Sequence, residues 1–216
     1  MGTFMRLGGV FGVGFLAGWS PITQAAATPP PAISSNFVAC PKAGTISKGR
    51  STLGEYANYW QGTDPSDPTV CLGKSVSFDA ATSGKPWRRM YALFDLTFRN
   101  WQQGEDQART ALGLLLSGQT NKVSFSETLT KPGESWIQTW RETWERTGVA
   151  DVTVGNRTIK ATVFRRTQEG RAGNGYLGTQ QLWYDPATHL WIKGHLDVDR
   201  GYNLDRDFEM TSIVTP

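Results

Sequence analysis

The chain has 216 residues, with 22 Lys and Arg against 19 Asp and Glu, a formal charge of +3, two His, two Cys, 24 Gly and nine Trp. These figures exclude a collagen, a coiled coil, an acidic disordered tail and a polytopic membrane protein, and they leave a globular chain long enough to bury a sizeable core. The basic residues form no stripe, since Arg88-Arg89, Lys160 and Arg165-Arg166 are set among apolar positions and Arg200 and Arg206 among Asp197, Asp199, Asp205 and Asp207, so nucleic acid finds no electrostatic footprint.

Arg6 precedes the apolar run Leu7 to Trp19, which is followed by Pro21 and Ala25-Ala26-Ala27. That is the charged, apolar and small-residue order of a secretory signal, so residues 1–27 are expected to be cut away with Ala25 and Ala27 filling the small-residue positions before the cut. The apolar run is shorter than the roughly 20 residues a spanning helix needs. A periplasmic or secreted bacterial protein with no transmembrane segment in its mature chain is expected. Residues 28–36 carry Pro29-Pro30-Pro31 and small polar side chains and read as a disordered or extended leader. Phe37-Val38-Ala39-Cys40 looks like the run before an acylated cysteine, but it lies behind the prolines, beyond the reach of a peptidase working at the membrane. Cys40 and Cys71 are the two cysteines, and export makes one structural disulfide the default pairing. Closing its 31-residue loop is worth about 3.7 kcal/mol in the chain-entropy model.

From Phe37 onward, short runs of Val, Thr, Ile, Phe, Tyr and Trp alternate with turn residues, which predicts strands near residues 44–48, 53–60, 70–78 and 89–98. Ala108, Ala111, Leu112, Leu115 and Leu116 recur at helical spacing and Gly118 can stop the helix, so a helix over residues 104–117 is expected. Val123 and Phe125 mark a strand, and residues 136–145 another. Val152 to Val154, then Gly155-Asn156, then Arg157 onward reads as a two-residue hairpin, because Gly and Asn tolerate positive φ. A glycine-rich loop over residues 170–175 reverses the chain into residues 176–184. Asp185-Pro186-Ala187-Thr188 is a turn signal, followed by strands over residues 190–199 and 207–214. Every later connection is too short for a parallel crossover. The expected class is therefore mainly β: a curved antiparallel meander sheet with one packed α-helix on its concave face. Residues 37–216 are read as a single domain, with a subdivision near residue 118 as the alternative.

Trp136, Trp140 and Trp144 are spaced by four, which puts them on one face of a strand or a helix. Such a row could fill a core, line an apolar pocket or stack on sugar rings. Asp197, Asp199, Asn203, Asp205 and Asp207 resemble a calcium loop, but Gly201 stands at the fifth position instead of the sixth, and no metal site is expected. His189 and His195 form no ligand pair. The chain carries no G-x-S-x-G, H-E-x-x-H or Walker loop, so no catalytic residue and no cofactor is assigned.

At Gly173-Asn174-Gly175-Tyr176, Trp183-Tyr184-Asp185-Pro186-Ala187-Thr188 and Trp191-Ile192-Lys193 the chain resembles an uncharacterised group of secreted bacterial β-sheet proteins, in which an aromatic-Tyr-x-Pro turn joins two strands. Residues 149–160 are similar to the hairpin that precedes that turn. The resemblance covers roughly residues 120–216, implies a bacterial periplasmic location and brings no activity with it. A more distant likeness, of architecture alone, is to the curved sheets of periplasmic lipoprotein carriers. The leading expectation is a noncatalytic periplasmic binding or envelope-associated module holding a lipid or other apolar or amphipathic ligand, with Trp136, Trp140 and Trp144 as candidate contacts. Carbohydrate binding through exposed Trp, and a hydrolase using paired carboxylates, are the alternatives.

Overall fold

A computed structural model describes residues 37–77, 83–96, 100–130, 137–170, 175–201 and 207–216. The expected signal segment and leader, Trp136, the Gly173-Asn174 pair, Asn203 and Asp205 lie outside the described residues. Among the described residues there are twelve strands and one helix: β1 Ile46–Ser51, β2 Gly54–Asp64, β3 Asp67–Ser77, β4 Pro86–Met90, β5 Phe94–Asp95, β6 Asn100–Gln103, α1 Glu105–Leu116, β7 Lys122–Thr130, β8 Ile137–Val154, β9 Arg157–Gly170, β10 Leu177–Asp185, β11 Leu190–Arg200 and β12 Phe208–Val214. All strands belong to one antiparallel sheet in the order β5-β4-β3-β2-β1-β12-β11-β10-β9-β8-β7-β6.

That order is sequential around a circle. The first five strands run one way from β1, the last seven run the other way from β12, and β1 pairs with β12 from Ile46↔Val214 to Ser51↔Phe208. The two outermost strands, β5 and β6, are nonetheless neighbours in the chain. Asp95 and Asn100 are five residues apart, which limits their separation to about 18 Å, whereas a flat sheet of this size would hold its edges roughly 53 Å apart. The sheet must therefore curl until its edges almost meet.

Inside the curl lies the core. Trp60 and Trp87 from the first half of the chain, Trp144, Phe164 and Trp191 from the second, and Ala108, Leu112 and Leu115 of α1 form one buried cluster. The helix begins at Gly104, whose φ of 89° only glycine adopts without strain, and Glu105 and Asp106 place negative charge on its first turn, where the helix dipole favours it. It ends as expected at Gly118, which has φ 82° and donates to the Leu115 carbonyl. Side chains from both halves of the sheet hold it: Tyr91 Oη donates to the Arg109 carbonyl at 2.6 Å, Arg109 Nη1 meets Asp67 Oδ2 at 2.7 Å, and Arg146 Nη2 donates to the Leu115 carbonyl at 2.8 Å.

Two local expectations are refined and a third holds. The strand expected over residues 89–98 is two strands, because Tyr91 and Ala92 turn with positive φ and fold β5 back onto β4. The strand expected over residues 136–145 runs on through Val154 as one 18-residue element, bulged between Arg146 and Gly148. Opposite that bulge the buried side of β9 changes, so that Ala161 and Val163 are followed by buried Phe164 and Arg166. The 185–188 turn forms as its residues dictate, with Asp185 Oδ1 accepting the Ala187 amide at 2.9 Å and Oδ2 accepting the Thr188 hydroxyl at 2.6 Å.

Cys40 and Cys71 are bonded, with Cα atoms 5.3 Å apart, and both are buried. The bridge pins the lead-in segment to β3. With Cys40 Sγ committed to Cys71, the thioether of an acylated cysteine has no sulfur to form on there.

Candidate functional site

A cavity of about 440 Å³ opens on the inner face of the first half of the sheet. Its walls come from β2–β5 and the Ala92-Leu93 turn, with Trp191 of β11 and Phe208 and Met210 of β12 along one side. Volume and character both fall within the range of small-molecule pockets, about 300–1,000 Å³ and mostly apolar with a few fixed polar groups.

Glycines make the space. Gly49 pairs across strands with Tyr56, Gly73 with Trp87 and Gly194 with Phe208. In each pair the aromatic ring lies down over the glycine instead of standing away from the sheet. A Cβ on Gly49 would come 2.6 Å from the Tyr56 hydroxyl, one on Gly73 would come 2.6 Å from the Trp87 ring, and one on Gly194 would run into the Phe208 ring. Gly73 is also the partner of Trp60, so two indoles flank one glycine and meet edge to face, with centroids 4.9 Å apart and planes at 77°. The result is a floor of recumbent aromatic rings.

Beside that floor runs a polar lane. Ser47, Asn58 and Ser75 are register neighbours on β1, β2 and β3. Trp60 Nε1 donates to Ser47 Oγ at 3.0 Å, Trp87 Nε1 to Ser75 Oγ at 2.8 Å, and Ser75 Oγ to Asn58 Oδ1 at 2.6 Å. The indole N–H groups are thus satisfied within the wall and the rings are fixed in place. Arg89 lies over the Trp87 ring, its guanidinium carbon 4.2 Å from the centroid, and Asp95 Oδ2 stands 3.7 Å from its Nε. Burial pushes the Arg89 guanidinium below its ordinary value against the pull of Asp95 and Tyr56, and an arginine stays protonated through such a shift. Burial also raises the Tyr56 phenol to about 12, so it remains a neutral hydrogen-bond donor. Lys85 stands exposed among the lining residues.

Trp140 and Trp144 lie elsewhere. Trp144 is fully buried, edge to face with Phe94 at 5.8 Å and Trp191 at 6.0 Å, and Trp140 is 8% exposed and edge to face with Tyr176 at 5.3 Å. Neither lines the cavity. Between them Glu142, wholly buried, receives Arg166 Nε at 2.7 Å and Nη2 at 2.5 Å, with Gln168 Nε2 at 3.1 Å and Trp144 Nε1 at 3.1 Å. Burial opposes the Arg166 charge, but Glu142 and the nearby buried Glu127 outweigh it and hold the guanidinium above its ordinary value. Glu127 accepts Trp101 Nε1 at 2.8 Å. These two carboxylates share the inner face, but neither lines the cavity and Glu142 is occupied by Arg166.

Of the two histidines, His189 packs beside Tyr184, its Nδ1 3.1 Å from the hydroxyl. His195 sits between Asp207, at 2.6 Å, and Asp197, at 3.3 Å, on the exposed side of β11. Sequence reasoning missed Tyr56, Trp60, Trp87 and Phe208 as a set. Their signal was available one step removed, in Gly49, Gly73 and Gly194 interrupting strand runs, since glycine inside a strand marks a close approach of something to the backbone.

No protein-family model and no curated protein matches the chain. Among solved structures, the crystal structure of the hypothetical lipoprotein YmcC from Escherichia coli K12 is similar, with a TM-score of 0.51 at 12% identity over 83% of this chain and 90% of that one. The likeness is one of fold.

Proposed function

We propose that this protein is an exported, envelope-associated binding module whose curled sheet holds one apolar or amphipathic small molecule in the 440 Å³ cavity. The observation that carries the reading is the glycine-paired aromatic floor, because packing the same rings upright would fill the space that three glycines keep open. The buried disulfide supports assembly in an oxidising compartment, and the fold shared with a lipoprotein is consistent with the envelope. The edge-to-face setting of Trp60 and Trp87 favours an apolar occupant over a sugar, which stacks best on a flat exposed ring.

Binding of the neutral fluorophore N-phenyl-1-naphthylamine tests the reading. We expect saturable binding to the oxidised protein, and loss of most of it in Gly194→Ala, where the three atoms nearest the added methyl all belong to the Phe208 ring, so that the methyl swings it into the cavity. Native mass spectrometry of material purified from the envelope fraction is expected to show a copurified small molecule. Absent or non-saturable fluorophore binding by well-folded protein would overturn the proposal.

A further inference from the structure

The cavity has an apolar floor, yet its wall carries a guanidinium whose one ion pair, with Asp95, lies at the Nε edge. Asp95 is the one carboxylate among the described lining residues, and it faces Arg89 from 3.7 Å at the Nε edge. Among the described residues neither terminal nitrogen of Arg89 makes a hydrogen bond, and the side chain keeps 23% of its surface exposed. A guanidinium carries five donors in a fixed fork that matches a carboxylate or phosphate, and here that fork is laid over Trp87 inside the cavity. Lys85 adds a second positive charge to the lining, so among the described lining residues two cations stand against one anion. Asn58, 96% buried with its Oδ1 taken by Ser75, and the Tyr56 hydroxyl are further polar groups in the same wall.

We infer that the occupant is a single-chain amphiphile with an anionic head, its chain over the Tyr56, Trp60, Trp87 and Phe208 rings and its head on the open edge of Arg89 with Lys85 beside it. This rests on the reading of the cavity as a ligand site. The volume, near the lower end for small-molecule pockets, suits one chain and not the paired chains of a bilayer lipid. An uncharged amphiphile would leave the Arg89 fork unmet, and a cationic one would be repelled by it.

The test uses the full oxidised protein with N-phenyl-1-naphthylamine bound, displaced at neutral pH by dodecanoate, dodecyl phosphate, dodecanol and dodecyltrimethylammonium, all below their micelle concentrations. Both anions are expected to displace the fluorophore at roughly tenfold lower concentration than the alcohol, the return on a charge-assisted hydrogen bond, with the cation weakest. The ranking of the two anions tells which head, carboxylate or phosphate, fits better. Arg89→Gln should bring the anions level with the alcohol, each displacement being read against that variant's own fluorophore affinity, and Lys85→Gln should reduce the preference by about twofold, as for an exposed charge. Anions no better than the alcohol on wild-type protein, or a preference that survives Arg89→Gln, overturns the inference while the cavity reading stands. If the fluorophore itself fails to bind, both fall. Should Arg89→Gln lose its near-ultraviolet circular dichroism, the wild-type ranking decides alone.

Discussion

Whether a large side chain fills a core or frames a vacancy depends on what stands opposite it. Trp144 and Trp140 face other aromatic rings and a buried ion pair, whereas Trp87 faces a glycine. The same residue type therefore has different consequences when deleted. Trp140→Ala should lower unfolding free energy by about 3–5 kcal/mol, the usual range for a large buried aromatic, as read by urea denaturation. Its binding of N-phenyl-1-naphthylamine should be unchanged at temperatures where it stays folded. Unaltered stability would mean that the ring contributes no packing. The Glu142–Arg166 pair beside it obeys a related logic, since two buried carboxylates with one buried cation tolerate loss of that cation poorly. In the sequence, the shared face of Trp140 and Trp144 was legible because strand alternation is local. What that face meets was not legible, because Tyr176 and Phe94 arrive from elsewhere in the chain.

At the scale of elements, hairpins were readable and edges were not. The Gly155-Asn156 turn and the 185–188 turn each write their geometry into two to four adjacent residues, and helix α1 announced both its apolar face and its stop. The two-residue strand β5 had no such signature, since Tyr91 and Ala92 are unusual residues for positive φ. Among the described residues two ladders of the sheet have two residue pairs in register, β4 with β5 and β11 with β12, the latter through Lys193↔Glu209 and Gly194↔Phe208. A side chain extends it: Asp207 Oδ1 accepts the Leu196 amide at 2.8 Å and Oδ2 lies 2.6 Å from His195 Nδ1. The hydrogen bond to Asp207 holds His195 above its ordinary value. For Asp207, burial works upward but the bonds from His195 and the Leu196 amide outweigh it and hold the carboxyl below its ordinary value. The raised histidine stabilises fully below its unfolded value of about 6.5 and loses that contribution as pH rises through the folded value. The lowered aspartate contributes above about 3.9 and loses its contribution as pH falls through the folded value. Leu196 amide exchange, corrected for intrinsic rate, should therefore be slowest between about pH 4 and 6.5 and faster above that window. His195→Gln should flatten the upper limb.

For the whole molecule, the sheet order and the curl were beyond sequence reading in detail, because pairing β1 with β12 joins residues more than 150 positions apart and no local pattern encodes that partner. The disulfide was legible by elimination among two cysteines, and its structural effect is to hold the lead-in segment against β3. Replacing both cysteines by serine should cost about 2–5 kcal/mol in chemical denaturation and lower the melting temperature of the folded unit. An unchanged midpoint would show that the segment docks without its staple.

A sheet whose strands follow one another around a circle has no privileged starting strand. β12 already lies against β1, and Gly44 and Pro216 are near neighbours, a Cβ on Gly44 standing 3.6 Å from the proline ring. The break in hydrogen bonding falls between β5 and β6, where the chain is covalently continuous, and the break in the chain falls between β12 and β1, where hydrogen bonding is continuous. The two seams are interchangeable in principle. A circular permutant that opened between β5 and β6 and joined Pro216 to the segment before β1 with a short linker would keep every ladder among the described strands, and its free ends would then lie at the β5–β6 seam.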